Sequence, residues 1–350
     1  MLLRLGILVA VALGFAHPSI AKETSAPPAA KLVMEEAMVP TGEPGISIYV
    51  RNKRPADMKN FSPERTILFV HGSTYPAETA FDLKLAGTSW MEYIASRGYD
   101  VWLVDLRGYG KSSRPKEMSL PPEQNEPLVR TVTAVKDVGS AVDHILAKRK
   151  LSKLNLLGWS WGTTIMATYT TENAAKVNRL VLYAPQWLRD TPSLTAQPGP
   201  LGAYRSVKRE AALARWLTGV AEDKKKDLIP AGFFDAWADA TFASDPEGAK
   251  MNPPVLRAPN GTVADSKDFW QAGKPVYDPA KITVPTLLIG AEWDQDTPVT
   301  LARTLYSLLV NAPEKRLVTI GEGTHTVLME KNRMQLFREV QLFFDEGLKS

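Results

Sequence analysis

The sequence contains no cysteine, so it can form no disulfide bond and carries no lipid on a cysteine side chain. It also lacks a strong excess of one charge, because 42 basic and 38 acidic residues leave a formal net charge of only +4. Lysine and arginine are scattered along the chain. Nucleic acid is therefore not expected as a partner, since its binding requires a concentrated basic surface.

The first 21 residues have the layout of a secretory signal peptide. A short basic start at residues 1–4 precedes an apolar run at residues 5–15, and Ser19 and Ala21 place small residues at a cleavage site after Ala21. The apolar run is too short to span a bilayer comfortably, so an uncleaved anchor is the weaker alternative. A disulfide-free exported protein of this size fits a bacterial periplasm or the medium, with no stable membrane insertion after cleavage.

The remaining chain alternates between apolar runs of strand length and helical patterns, as expected for a parallel sheet covered by helices on both faces. This alternation stops at residues 186–281, which are rich in Pro, Ala and Asp and carry helical patterns at residues 204–220 and 233–242. We therefore predict an α/β core formed by residues 22–185 and 282–350, interrupted by a mostly helical cap at residues 186–281.

Residues 158–162 contain a Gly-x-Ser-x-Gly motif with a candidate nucleophilic serine. The apolar run at residues 154–157 leads into Gly158-Trp159-Ser160-Trp161-Gly162, and a helical pattern follows. In this strand–turn–helix context, Gly-x-Ser-x-Gly forms a sharp, strained turn that projects the serine hydroxyl clear of the sheet. Gly158 and Gly162 lie where a Cβ atom would collide as strand and helix pack closely. The motif alone is only moderately specific, and its meaning depends on the residues around it.

The order of these parts resembles the α/β-hydrolase superfamily over residues 32–348. His71-Gly72 follows the third predicted strand, Asp105-x-Arg107-Gly108-x-Gly110 the fourth, and the Ser160 turn the fifth. The resemblance implies an eight-stranded, mostly parallel sheet with a helical cap inserted after the sixth strand. It places an acid after the seventh strand and a histidine after the eighth.

Ser160 matches the family's nucleophile, which attacks once a base removes its proton. The matching base is His325, in a loop directly after the last predicted strand, and the matching acid is Asp294, which would accept the other ring N–H. Glu292 and Asp296 are the rival acids, and the spacing to a following proline favours Asp294. The resemblance implies no metal and no organic cofactor.

The same resemblance implies an oxyanion hole made by the backbone N–H groups of Trp161 and Ser73, with Thr74 as the alternative to Ser73. His71 matches the histidine that props the loop after the third strand. Asp105 and Arg107 match structural residues of the turn after the fourth strand. We expect Tyr75, Trp159 and Trp187 to contact the substrate, and we expect the cap tryptophans either to roof the serine or to form a core of the cap.

The predicted activity is acyl transfer to water by a secreted serine hydrolase that acts on carboxylic esters of small or medium apolar substrates. Trp159 and Trp161 around the serine resemble the elbow of proline iminopeptidases and related esterases, so peptidase or amidase activity is the alternative. A non-catalytic binding protein on the same fold is a further alternative. Cofactor-free haloperoxidases and carbon–carbon hydrolases use the same three residues and also stay open.

Overall fold

A computed structural model describes residues 31–196 and 199–348. The predicted signal peptide, residues 1–21, lies outside this part of the chain and stays a prediction. Across residues 31–196 and 199–348, none of the helices combines the length and the apolar character needed to cross a membrane.

Eight strands form one sheet in the order β1-β2-β4-β3-β5-β6-β9-β10. They are β1 (Leu32–Pro40), β2 (Ser47–Pro55), β3 (Thr66–Val70), β4 (Asp100–Asp105), β5 (Leu154–Trp159), β6 (Val177–Tyr183), β9 (Thr286–Ala291) and β10 (Lys315–Ile320). Strands β1 and β2 pair antiparallel, as do β2 and β4, and all the other neighbours are parallel. The prediction of a mostly parallel eight-stranded sheet is confirmed.

Helices cover both faces of this sheet. They are α1 (Ala77–Phe81), α2 (Trp90–Ala95), α3 (Thr131–Arg149), α4 (Trp161–Glu172), α9 (Val299–Leu308) and α10 (Arg333–Glu346). The central strand β3 shows how one chain fills two cores, because successive side chains of a strand point to opposite faces. Ile67 and Phe69 pack with residues of α1, α2 and α10, whereas Leu68 and Val70 pack with residues of α3, α4 and α9. This burial on both faces explains why the strands read as unbroken apolar runs.

The segment between β6 and β9 forms the cap. Its elements are β7 (Tyr204–Val207), α5 (Arg209–Trp216), α6 (Glu222–Leu228), α7 (Phe233–Ala243), β8 (Leu256–Pro259) and α8 (Gly261–Asp265), which runs into a π-helical turn at Ser266–Trp270. The helix predicted over residues 204–220 is wrong at its start. Residues Tyr204–Val207 form a strand because they pair antiparallel with Leu256–Pro259 in a separate small sheet. Arg205 then points inward and is buried, while Ser206 is exposed.

Candidate active site

Ser160 stands at a tight corner between β5 and α4. Its backbone has φ 57° and ψ −122°, a conformation that L-residues rarely adopt, and its N–H donates to Tyr183 O at 2.9 Å. The corner leaves no room for a side chain two residues before or two residues after Ser160. A Cβ at Gly158 would lie 2.2 Å from Gly162 O, and one at Gly162 would lie 2.5 Å from Val70 O. Both glycines are therefore required for strand, turn and helix to approach this closely.

His325 and Asp294 meet because they follow neighbouring strands. Strands β9 and β10 run parallel, with Ala291 paired to Ile320 at their carboxyl ends, so the two following loops lie side by side. The Nδ1 atom of His325 lies 2.8 Å from Oδ2 of Asp294, and Asp294 is buried. Thr297 donates to the same carboxylate from its N–H and from its hydroxyl, each at 2.8 Å. Asp294 thus has a fixed orientation in which it accepts the His325 ring N–H.

The other two carboxylates considered from the sequence have different partners. Glu292 accepts a hydrogen bond from the Glu322 N–H at 2.8 Å, in an exposed position. Asp296 forms a two-point ion pair with Arg215, with Nε–Oδ2 at 2.9 Å and Nη2–Oδ1 at 3.0 Å. Of the three candidate acids, the geometry brings Asp294 alone into hydrogen-bond contact with the imidazole.

The backbone of His325 is held in place by hydrogen bonds from the sheet. The carbonyl oxygen of His325 accepts from Trp159 Nε1 at 3.1 Å and from the Tyr183 hydroxyl at 2.8 Å. The Trp159 and Tyr183 rings stack, with centroids 6.1 Å apart and planes 9° from parallel. Two side chains from adjacent strands β5 and β6 therefore position the loop that carries His325, a role that the sequence did not indicate for either of them.

Charges around His325 favour its protonated form. Burial lowers the pKa of His325, but the carboxylates of Asp294 and Asp296 outweigh burial and raise it above its ordinary value of 6.5. Burial raises the pKa of Asp296, and the facing Arg215 guanidinium reverses this and lowers it. Asp296 therefore stays ionised and contributes to the field at the imidazole without touching it.

A small cavity joins the predicted residues. It has a volume of about 10 Å³, which is close to the space that one water molecule needs. Ser160 and His325 both line this cavity. Its lining is Gly72, Ser73, Thr74, Tyr75, Trp159, Ser160, Arg215 and His325. Apart from the imidazole, the ionisable groups among these are a guanidinium and a phenol, so the lining contains no carboxylate.

The loop after β3 closes one side of the cavity. A Cβ at Gly72 would lie 3.0 Å from Ser160 Cβ, so the loop backbone nearly touches the serine. His71 Nε2 accepts from the Leu106 N–H at 3.1 Å, which leaves the ring proton on Nδ1 to donate to Gly72 O at 2.7 Å. Burial lowers the pKa of His71 to about 4, so the ring is neutral at neutral pH. His71 props this loop, as the resemblance implied.

The carbonyl of Ser73 is held by two donors. The Tyr109 hydroxyl lies 2.9 Å from Ser73 O, and Arg205 Nη2 from the cap lies 2.8 Å from it. In a trans peptide the N–H points opposite to the carbonyl, so these donors fix the direction of the Thr74 N–H. Trp161 is the first residue of α4, and its N–H has no acceptor within its own helix. Ser73 and Thr74 line the cavity together with Ser160, and the N–H groups of Trp161 and of Ser73 or Thr74 remain the predicted oxyanion donors.

The remaining structural predictions concern the core. Asp105 accepts from the N–H groups of Ala77 at 2.7 Å and Lys111 at 3.1 Å. Arg107 pairs with the buried Asp137, with Nη2–Oδ1 at 2.7 Å. Both side chains tie loops together and neither lines the cavity at Ser160.

The structure does not bring Trp187 to the cavity. Its ring packs edge-on against Tyr277 at 5.3 Å and belongs to the core on the opposite face of the sheet. Tyr75 and Trp159 do line the cavity. In the cap, Trp216 and Trp237 pack against each other at 5.2 Å, and Phe234 contacts both. Both tryptophans belong to the same buried cluster as Tyr75 and Phe81, so the cap and the sheet share one core here.

Three residues of the site gave no signal in the sequence. Arg205 and Arg215 come from the cap, and each donates to the Thr74 hydroxyl, at 2.8 Å and 3.2 Å. Glu330 is buried beneath the His325 loop, where it accepts from Thr324 N at 3.0 Å and from the cap residue Trp216 Nε1 at 2.7 Å. All three connect cap and core. Within residues 31–196 and 199–348, no group of three or more His, Asp or Glu side chains is placed to hold a metal ion.

Comparisons with known proteins agree with this fold. A sequence model of the α/β hydrolase fold family matches residues 65–332. Among solved structures, the chain is similar to a serine hydrolase of the polyaromatic-hydrocarbon-degrading bacterium Cycloclasticus zankles, with 15% identity, a TM-score of 0.59, and coverage of 89% of this chain and 98% of that one. A serine hydrolase involved in carbazole degradation shares 16% identity at TM-score 0.58, with coverage of 89% and 99%. A thermophilic esterase of Thermogutta terrifontis shares 17% identity at TM-score 0.54, with coverage of 89% and 99%.

Proposed function

Because the chain belongs to the α/β hydrolase fold family, we propose that it is a serine hydrolase that transfers an acyl group from a carboxylic ester to water. One observation carries the proposal: Ser160 and His325 line one cavity, and the far nitrogen of that imidazole lies 2.8 Å from the buried Asp294 carboxylate. This arrangement supplies the three groups that acyl transfer requires: a nucleophile, a base beside it, and an acid that orients the base.

In the proposed reaction, His325 Nε2 takes the Ser160 proton as the serine oxygen attacks the acyl carbon. The negative oxygen of the tetrahedral intermediate is stabilised by the N–H groups of Trp161 and of Ser73 or Thr74. His325 then gives its proton to the leaving alcohol. Water repeats the sequence on the acyl-enzyme and releases the acid, which restores Ser160. Asp294 stabilises the imidazolium in both halves of the reaction.

The cavity lining favours esters over the substrates of an aminopeptidase. An enzyme that removes an N-terminal residue has to hold a free ammonium group, which a carboxylate does best. The lining contains no carboxylate, and Arg215 would repel an ammonium group placed there. The lining therefore supports an esterase over an aminopeptidase.

Export to a periplasm or to the medium is part of the same proposal. It is supported by the basic start, apolar run and small-residue site of residues 1–21. Mass spectrometry of the protein purified from its native compartment gives the mature N-terminus. The expected cut follows Ala21, and an intact Met1 would contradict it.

Reaction with a fluorophosphonate probe tests the activity directly. The probe should label the wild-type protein at Ser160 and should not label the Ser160→Ala variant. Hydrolysis of p-nitrophenyl esters, compared with that of prolyl anilides, then separates an esterase from a peptidase. An unlabelled wild-type protein with an intact fold would support the binding-protein alternative instead.

A further inference from the structure

A second pocket lies next to the serine cavity and opens to solvent. It has a volume of about 150 Å³ and is formed by the cap elements β7 and α5 together with residues 194–196. Its rim includes the exposed residues Leu194, Ser206 and Ala211, and its walls include the apolar side chains of Val207 and Ala212. The pocket ends at Tyr75 and Arg215, which also line the cavity at Ser160. These two side chains are therefore the wall between the pocket and the nucleophile.

Both side chains of this wall are held in place. The Tyr75 ring packs edge-on against Trp237, with centroids 4.7 Å apart and planes at 87°. Arg215 makes its two-point ion pair with Asp296 and donates from Nη1 to the Thr74 hydroxyl at 3.2 Å. Arg215 thus connects the loop that carries Asp294 to the loop beside Ser160, and its guanidinium is fixed at both ends. Such a bidentate pair has a defined geometry and resists displacement by an apolar group.

The volumes on the two sides of the wall decide what can reach Ser160. A cavity of about 10 Å³ is close to the space of one water molecule and leaves no room for a long chain, whereas the outer pocket of about 150 Å³ has room for an alkyl chain. Sites for drug-sized ligands have volumes of roughly 300–1,000 Å³, so even the two spaces together accept only a small molecule.

We propose that Arg215 is a specificity-determining residue that restricts the serine to short acyl groups by separating its cavity from the outer pocket. The inference rests on the proposed function, because it requires Ser160 to be a nucleophile. Truncation of the Arg215 side chain would join the two spaces and let a longer chain extend along Val207 and Ala212 while its reacting carbon reaches Ser160.

The test uses p-nitrophenyl alkylphosphonates with methyl, butyl and octyl chains. Ser160 Oγ forms a bond to phosphorus, the bond to p-nitrophenolate breaks, and the serine proton passes to His325. The rate of p-nitrophenolate release therefore reports access to Ser160 without requiring a preferred leaving group or full turnover. The measured quantity is the ratio of the octyl rate to the methyl rate, taken at alkaline pH so that His325 is neutral in every variant.

Three variants separate volume from charge. Arg215→Ala should raise the octyl-to-methyl ratio by about tenfold or more, the effect expected when apolar groups gain a pocket. Arg215→Met should raise the ratio less than Arg215→Ala does, because its unbranched side chain fills most of the space but lacks the ion pair that holds Arg215 in place. Arg209→Ala, on the same helix but with an exposed side chain that pairs with Asp235 and Asp239, should leave it unchanged.

Each outcome has a defined meaning. An unchanged ratio in Arg215→Ala, or an equal rise in Arg215→Met, would overturn the role of Arg215 while leaving the serine hydrolase intact. Absence of p-nitrophenolate release from the wild-type protein would instead overturn the proposed function. If Arg215→Ala unfolds because Asp296 loses its partner, the double variant Arg215→Ala/Asp296→Asn removes the unpaired carboxylate and carries the same test.

Discussion

The sheet edge that carries Ser160 and the cap above it are built in different ways. At the sheet edge the backbone itself is packed to its limit, as the missing Cβ atoms of Gly72, Gly158 and Gly162 show. In the cap, long side chains contact residues that are far away in the sequence. Arg205 and Arg215 both donate to the loop beside the serine. Under the proposed function, the core supplies the chemistry and the cap supplies closure and size selection.

The largest expected effect lies in the core. Asp294→Asn should lower kcat by about 10⁴-fold, because an amide at this position can hold the imidazole in the wrong tautomer. Steady-state hydrolysis of a p-nitrophenyl ester measures it, with thermal unfolding to show that the fold is kept. Glu292→Gln is the matched control, since Glu292 binds only the exposed Glu322 N–H. Near-normal activity of Asp294→Asn would move the acid role to Asp296 or Glu292.

The second prediction concerns Glu330, which joins core and cap beneath His325. Burial raises the pKa of Glu330 from 4.5 to about 7, so the folded protein binds this proton more tightly than the unfolded chain does. The stability that the protonated group contributes is complete below pH 4.5 and is lost as the pH rises through about 7. The size of this loss is up to about 3 kcal/mol.

Glu330→Gln mimics the protonated carboxyl and should remove this dependence. Urea unfolding of both proteins across that pH range measures it as the difference between the two curves. The variant should gain stability relative to the wild-type protein as the pH rises. Curves that stay parallel would show that the carboxylate is ionised without penalty in the folded protein.

The third prediction compares a core donor with a cap donor on one carbonyl. Tyr109→Phe and Arg205→Met each remove a hydrogen bond to Ser73 O. Each should lower kcat by about tenfold, less than the 10²–10³-fold cost of deleting an oxyanion donor outright. Because both donors hold the same peptide unit, the double variant should differ from the product of the single effects. Arg209→Met is the control variant in the cap. If the effects of Tyr109→Phe and Arg205→Met on kcat simply multiply in the double variant, the two donors act independently and this prediction is wrong.

The smallest effect should come from Asp296, which acts on the imidazole through space. Asp296→Asn removes a charge that raises the pKa of His325 and leaves Arg215, which lowers it, without its partner. Both changes shift the acid limb of kcat/KM to lower pH, by less than about one unit. The wild-type limb should lie above pH 6.5, and a pH–rate profile of each protein measures the shift. A shift to higher pH would contradict this account.

Much of the core was predictable because its rules are local or depend on strand order. The Gly158 and Gly162 positions follow from the turn itself. The resemblance implied His325 and Asp294, and they meet because the strands before them are parallel neighbours. The strand at Tyr204–Val207 was missed because its partner, Leu256–Pro259, lies in a distant part of the chain. Trp187 was predicted to contact the substrate, and its packing against Tyr277 depends on a residue 90 positions away that no local pattern connects to it.

The sequence alone predicted the fold class, because glycine spacing and apolar periodicity specify backbone geometry over short distances. Its resemblance to the α/β-hydrolase superfamily added the candidate nucleophile, base and acid. The tertiary structure decided what surrounds them. Arg205 meets Ser73 across 132 residues, Arg215 meets Thr74 across 141, and Glu330 meets Trp216 across 114. No periodic pattern connects residues so far apart, and long polar side chains find such partners only when the cap has packed onto the sheet.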